Sequence, residues 1–152
     1  MFTNTDLCDA SMSESLSEYL SEIHVDNILL YVADAVRLDA LPDRVKSLGT
    51  SATGIASSIH SPTSFASMVS GLYPPATGVY SFSHRVTSGT IFERNEFNTY
   101  YESTMLEDAG TDDSLFSVFG INPKELHGAV TEATEPFIAV ERGNGGHAPY
   151  GD

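Results

Sequence analysis

The clearest hydrophobic pattern in the chain follows Ser61, where four apolar residues recur at the spacing of one helical face: Phe65, Met68, Val69 and Leu72. Ser61 suits the N-cap of this helix, Pro62 suits its first position, and Gly71 suits its end. The first turn of such a helix presents a serine hydroxyl beside backbone N–H groups and the positive end of the helix dipole. The pattern alone fits an ordinary cap as well as an anion-binding nucleophile.

A second pattern is the continuous apolar run between Asn27 and Asp34. Its β-branched residues and lack of alternation predict a strand buried on both faces of a parallel sheet. Asp34 ends this strand, and open α/β sheets bind ligands at the carboxyl ends of their strands. The sequence therefore predicts that Asp34 lies near a functional site, whereas the later carboxylate Asp39 could equally cap the next helix.

Shorter patterns predict the remaining elements. Helices are predicted over 13–23 and 42–48, from Thr99 to Gly110, and starting at Asn122. Strands are predicted over 114–120 and 136–141, with a strand or extended segment over 52–59 and loops over 73–90 and 143–150. This alternation predicts an α/β fold with a mostly parallel sheet flanked by helices. We expect a flexible N-terminus over 1–12 and a single domain over 13–152.

The net charge of the chain limits the classes of partner that it can bind. The 152 residues include 21 Asp and Glu against 7 Lys and Arg, a formal net charge of −14. Such a surface disfavours nucleic acid and anionic membranes as partners, and it is typical of a protein from a halophile, where salt screens self-repulsion. The lone Cys8 allows no disulfide within the chain, and no apolar stretch is long enough to span a bilayer. We expect a cytoplasmic protein of unspecified oligomeric state.

Three segments carry a family resemblance. The run 27–39 resembles the first strand and metal-binding aspartate of sulfatases in the alkaline phosphatase superfamily. The run 63–79 is similar to the helix that follows the nucleophile in that family, and 136–140 with 147–150 resembles a later strand and its histidine loop. The resemblance implies an alkaline-phosphatase-like (sulfatase) fold that is truncated, because only the N-terminal part of the family's catalytic domain is covered.

The resemblance also implies roles for particular residues. Asp34 would bind a metal, with Asp39 as a possible second ligand. Ser61 would be the nucleophile, with Thr63 as the reserve candidate, and His147 a general acid or substrate contact. A hard divalent cation, Ca²⁺, Mg²⁺ or Mn²⁺, suits these oxygen ligands.

The chain departs from the family pattern at two positions. Phe65 stands where the family has an arginine, and Ala35 stands where it has a second aspartate. In addition, the proline of the family's motif is displaced to Pro62, and this shift together with the missing arginine means that conversion of Ser61 to formylglycine is not expected. Arg37 and Lys124 could contact an anion or form surface salt bridges.

Two functions follow as expectations. The first is a metal-dependent hydrolase of sulfate esters, with phosphate esters as the second choice and a small anionic ester as substrate. The alternative is a non-catalytic relic or binding module that keeps the first half of the fold.

Overall fold

The computed structural model describes residues 25–50, 52–103, 114–120, 124–125, 130–143 and 146. Four strands form one sheet: β1 (Asn27–Ala33), β2 (Asn98–Ser103), β3 (Lys124–Glu125) and β4 (Phe137–Gly143). Their order across the sheet is β1-β4-β2-β3, and all three pairings are parallel. The expected α/β class with a parallel sheet is confirmed.

The helices are short except for one. They are α1 (Asp43–Lys46), α2 (Ser61–Ser70), α3 (Pro74–Thr77) and α4 (Leu115–Phe119), with 3-10 turns at Leu38–Ala40, Ile91–Glu93 and Val130–Glu132. None of the helices in the described ranges combines the length and apolar character that crossing a bilayer requires.

The main core lies between one face of the sheet and helices α2 and α4. Its buried members come from these elements together: Phe65 and Val69, Tyr101, Leu115, Val118 and Phe119, and Ile138 and Val140. The opposite face has a smaller cluster of Tyr100 and Ala139, against which Val130 and Ala133 pack. The predicted apolar face of α2 is therefore confirmed as the surface that anchors this helix to the sheet.

β1 is exposed on one face, against expectation. Ile28, Leu30 and Val32 pack against the main core. On the other face of the strand, Leu29 and Tyr31 are 47% and 56% exposed. The prediction of burial on both faces is wrong because β1 is the first strand in the sheet order, with β4 as its partner among the described residues. An unbroken apolar run does not reveal whether a strand is central or at an edge.

For two predicted elements the type of secondary structure is wrong. The predicted helix from Thr99 begins instead as strand β2, in which Tyr100 and Tyr101 pair with β4 and are buried. The predicted strand over 114–120 is helix α4, which ends at Gly120 in the left-handed conformation with φ 73°. At Thr99, pairing with the sheet outweighed the capping pattern that favours a helix. The apolar run after Ser114 is too short for its periodicity to distinguish a helix from a strand.

The other local predictions have mixed outcomes. The predicted helix over 42–48 is confirmed as α1, and the strand predicted over 136–141 is confirmed as β4. Residues 52–59 contain no regular element, the predicted loop 73–90 contains α3, and β3 lies where a helix was predicted to start at Asn122. The predicted helix over 13–23 lies outside the described residues, as does most of the predicted loop over 143–150.

Candidate functional site

Asp34 and Ser61 meet at the carboxyl end of the sheet. Asp34 directly follows β1, and Ser61 is the first residue of α2. The Ser61 hydroxyl donates a hydrogen bond to Oδ2 of Asp34, with an Oγ–Oδ2 distance of 3.2 Å. Twenty-seven residues separate the two in sequence, and the fold brings them together as the pattern predicted.

Arg142 is a third member of this site, and sequence reasoning missed it. It lies in β4, beside β1, and donates from Nε at 2.9 Å and from Nη2 at 2.7 Å to the same Oδ2 of Asp34. Its side chain is 2% exposed, against 18% for Asp34, and its guanidinium lies 5.5 Å from the ring centre of Phe65. The sequence did contain one signal: Arg142 is a charged residue just after the apolar run 137–140. A buried strand tolerates a charge only when that charge is paired.

The backbone after Asp34 is held in an uncommon conformation. Ala35 has φ 58°, in the left-handed region that residues with a Cβ rarely adopt. Hydrogen bonds fix this turn on both sides: the Asp34 N–H donates to the carbonyl of Gly143, and the Gly146 N–H donates to the carbonyl of Asp34. Strained residues cluster at functional sites, so this turn is consistent with a site at Asp34.

The N-terminus of α2 lies beside Asp34, where the His60 N–H donates to Ser58 Oγ and Pro62 has no N–H to offer. His60 is the N-cap, and Ser61 is the first helical residue, so the expectation that Ser61 caps the helix is wrong. Its hydroxyl bonds to Asp34 instead of to the backbone of the helix. The first-turn N–H groups of an α-helix lack intrahelical acceptors, and together with the dipole they favour an anion.

A cavity of about 350 Å³ opens in front of these groups. Asp34 and Ser61 line it, together with His60, whose ring meets that of Phe82 edge-on at 5.9 Å. Thr63, the reserve nucleophile, is 5% exposed and is not among the lining residues. The geometry therefore places the Ser61 hydroxyl, and not that of Thr63, in contact with the space that a ligand can enter.

Asp39 is not part of this arrangement. It forms an exposed ion pair with Arg37, whose Nη2 lies 2.7 Å from Oδ2 of Asp39. The hydrogen bond from Arg37 lowers the pKa of the Asp39 carboxyl below its usual value. Of the two predicted roles for Arg37, contact with an anion or a surface salt bridge, the structure therefore shows the salt bridge.

The described residues do not fit the predicted metal shell. Oδ2 of Asp34 already accepts three hydrogen bonds, two of them from the positive Arg142. No group of three or more His, Cys, Asp or Glu residues able to hold a metal occurs in the described ranges. Metal binding is not supported, and a choice among Ca²⁺, Mg²⁺ and Mn²⁺ stays untested.

Two further candidates were named from the sequence. His147 lies outside the described residues, so its predicted role stays a prediction. Lys124 lies in β3, at the opposite edge of the sheet from β1.

Comparison with known proteins finds a distant relative. The chain is 25% identical over 140 residues to the low-salt glycan biosynthesis sulfotransferase Agl7 of Haloferax volcanii. The match covers 90% of this chain but only 34% of the relative, so the chain spans about a third of that protein's length. No protein-family model matches the chain, and no solved structure matches it.

This relative corrects the family expectation. The matched protein is a sulfotransferase of glycan biosynthesis, which belongs to a different family from the sulfatases. The identification of the chain as a sulfatase-type, metal-dependent hydrolase of the alkaline phosphatase superfamily is therefore wrong. The short motifs could not identify the family, because many α/β proteins have an apolar strand that ends in a carboxylate and a helix that begins with a serine.

Proposed function

We propose that this chain carries the sulfate-handling site of a sulfate-transferring enzyme, with Ser61 as the group that receives the sulfate. The single observation that carries the proposal is the hydrogen bond from Ser61 to Asp34 at the mouth of a cavity and at the N-terminus of α2. The distant relationship to a sulfotransferase, over nearly the whole of this chain, supports sulfate-group chemistry.

Electrostatics decide where a sulfate could bind. A sulfate ester is an anion, and a chain with formal charge −14 repels it at long range. Arg142 balances the charge of Asp34, so the local field is set by the positive end of α2 and its first-turn N–H groups. The sulfate oxygens would lie against these groups, beside the Ser61 hydroxyl.

Transfer then takes two balanced steps. Ser61 Oγ attacks sulfur and gives its proton to Asp34, while the bond from sulfur to the donor oxygen breaks and that oxygen leaves with the electron pair. In the second step an acceptor hydroxyl attacks sulfur and releases its proton to solvent, while Ser61 Oγ leaves and recovers the proton from Asp34. The buried Arg142 holds the Asp34 carboxylate in position for both transfers.

The second candidate function is a non-catalytic sulfate-binding module. One observation favours it: two hydrogen bonds from Arg142 tie up the carboxylate oxygen that would accept the proton of Ser61. In this alternative the Asp34–Arg142 pair holds the helix N-terminus against the sheet, and an anion binds there without reaction.

The proposal is tested by following donor and acceptor separately. p-Nitrophenyl sulfate serves as donor and a methyl glucoside as acceptor, in molar NaCl to screen the net charge. Release of p-nitrophenolate reports breakage of the donor bond, and mass spectrometry of the glucoside distinguishes transfer from hydrolysis. A parallel reaction with p-nitrophenyl phosphate tests the phosphate alternative.

Matched variants assign the nucleophile. Ser61→Ala should lower transfer by at least about 10³-fold, whereas Ser83→Ala, an exposed serine outside the cavity, should change nothing. Loss of transfer in Thr63→Ala but not in Ser61→Ala would assign the reserve candidate and overturn the role of Ser61. Stabilisation by sulfate at constant ionic strength, without any turnover, would favour the binding module.

The alkaline-phosphatase-like strand arrangement that the sequence predicted stays a prediction beyond the α/β class, since no solved structure matches. An experimental structure would test it.

A further inference from the structure

The second face of the sheet is covered over β4 and β2 but not over β1, as far as the described residues extend. On this face the strand register places Leu29 of β1, Ala139 of β4 and Tyr100 of β2 in one row. Tyr100 and Ala139 are buried, and the segment 130–134 packs over them, with the Thr134 N–H donating to the Tyr100 hydroxyl. Leu29, at the β1 end of the row, is 47% exposed. The cover therefore stops before it reaches β1.

The uncovered strip along β1 is apolar. Tyr31 is 56% exposed, and it lies on the same face as Leu29 because side chains two residues apart in a strand point the same way. Parallel sheets in α/β proteins generally have both faces covered, and apolar side chains gain free energy when they leave water. A further element that buried Leu29 and Tyr31 would therefore stabilise the fold.

The sequence directly before β1 has the pattern that such an element needs. Residues 1–24 lie outside the described residues, and the sequence predicts a helix over 13–23. Four apolar residues recur there at the spacing of one helical face, and three glutamates recur at the spacing of the opposite face: Leu16, Tyr19, Leu20 and Ile23 against Glu14, Glu18 and Glu22. One face of this helix suits a sheet, and the other suits water.

The connection to β1 restricts where such a helix can lie. Residues 24–26 join the predicted helix to Asn27, the first residue of β1, and helix-to-strand connections of this short kind are usual in α/β units. They reverse the chain and lay the helix along a face of the sheet beside its own strand. The face that includes Leu30 already packs against α2 and α4, which leaves the face that includes Leu29.

The lengths of the two elements also match. A helix over 13–23 would be about 16 Å long. The seven residues of β1 extend over roughly 23 Å. One helix therefore fits along the strip without projecting beyond either end of the strand.

We propose that the segment 13–23 is an amphipathic helix that covers the Leu29 and Tyr31 face of β1. Its apolar residues pack on these two side chains, and its glutamates face solvent, where salt screens their charge. Asp34 follows β1 directly, so this helix supports the strand that carries Asp34 from the face opposite to α2.

The accessibility of a cysteine on β1 tests this cover. In the full chain with Cys8→Ser, a maleimide should label Leu29→Cys at least about tenfold more slowly than Leu48→Cys, since Leu48 is 84% exposed and lies outside the strip. Addition of Leu20→Asp should restore fast labelling of Leu29→Cys, because a carboxylate on the apolar face displaces the helix. Ser21→Asp is the matched control: it adds the same group on the opposite face and should leave the labelling rate unchanged.

A second measurement does not depend on labelling. Leu20→Ala and Leu29→Ala should each lower the urea midpoint, and the double variant should lower it by less than the sum of the two shifts, because their contact can be lost only once. Glu18→Ala combined with Leu29→Ala should give additive shifts, since Glu18 is on the solvent face of the predicted helix.

Three other results would overturn the proposal. Labelling of Leu29→Cys as fast as that of Leu48→Cys, with additive midpoints for Leu20→Ala and Leu29→Ala, would show that the face is open. Slow labelling that Leu20→Asp leaves unchanged would assign the cover to another part of the chain. Slow labelling that becomes fast on dilution would assign it to a second copy of the chain.

Discussion

Removal of the Asp34 carboxylate should destabilise the fold far more than removal of a surface carboxylate. Asp34→Ala would leave the guanidinium of Arg142 with its side chain 2% exposed and without the carboxylate that accepts hydrogen bonds at 2.7 and 2.9 Å. Breaking a buried ion pair from one side costs about 3–5 kcal/mol, a large share of the roughly 5–15 kcal/mol that stabilises a domain. For a chain of this size the melting temperature should fall by about 6–20 °C.

The assay is urea unfolding in molar NaCl, followed by circular dichroism, with Asp39→Ala as the matched control. Asp39 pairs with Arg37 at the surface, so its loss should barely move the midpoint. A double variant measures the coupling between the two charges: Arg142→Met should cost less in the Asp34→Ala background than alone, because the Asp34 carboxylate is then no longer there to lose its partner. A shift for Asp34→Ala no larger than that for Asp39→Ala would refute the reasoning.

Two further predictions concern metal and salt. Neither EDTA nor Asp39→Asn should change the turnover of p-nitrophenyl sulfate, because the Asp39 carboxylate is bonded to Arg37 and the Asp34 carboxylate to Arg142. Loss of turnover under both treatments would restore the predicted metal site. Raising NaCl from about 0.1 M to about 1 M shortens the Debye length from ~10 Å to ~3 Å and should raise the urea midpoint, because it screens a net charge of −14; a falling midpoint would contradict this.

The candidate site was predictable in part, and for a physical reason. Asp34 ends an apolar strand and Ser61 opens an amphipathic helix, so local patterns located both groups, and the packing of α2 on the sheet brings Ser61 to the carboxyl end of β1. Arg142 could not be found in this way because its role depends on which strand lies beside β1. That pairing joins residues more than a hundred positions apart.

Local patterns determined the α/β class, helix α2 and the strands β1 and β4. Tertiary structure decided what those patterns left open. Tyr100 and Tyr101 became a strand because β4 offered them a pairing partner and a core to fill, and β1 pairs with β4 alone among the described residues and is exposed on one face. Hydrophobic periodicity reports which residues seek burial, whereas the neighbour that buries them, and the charge that a buried Arg142 must meet, are properties of the assembled fold.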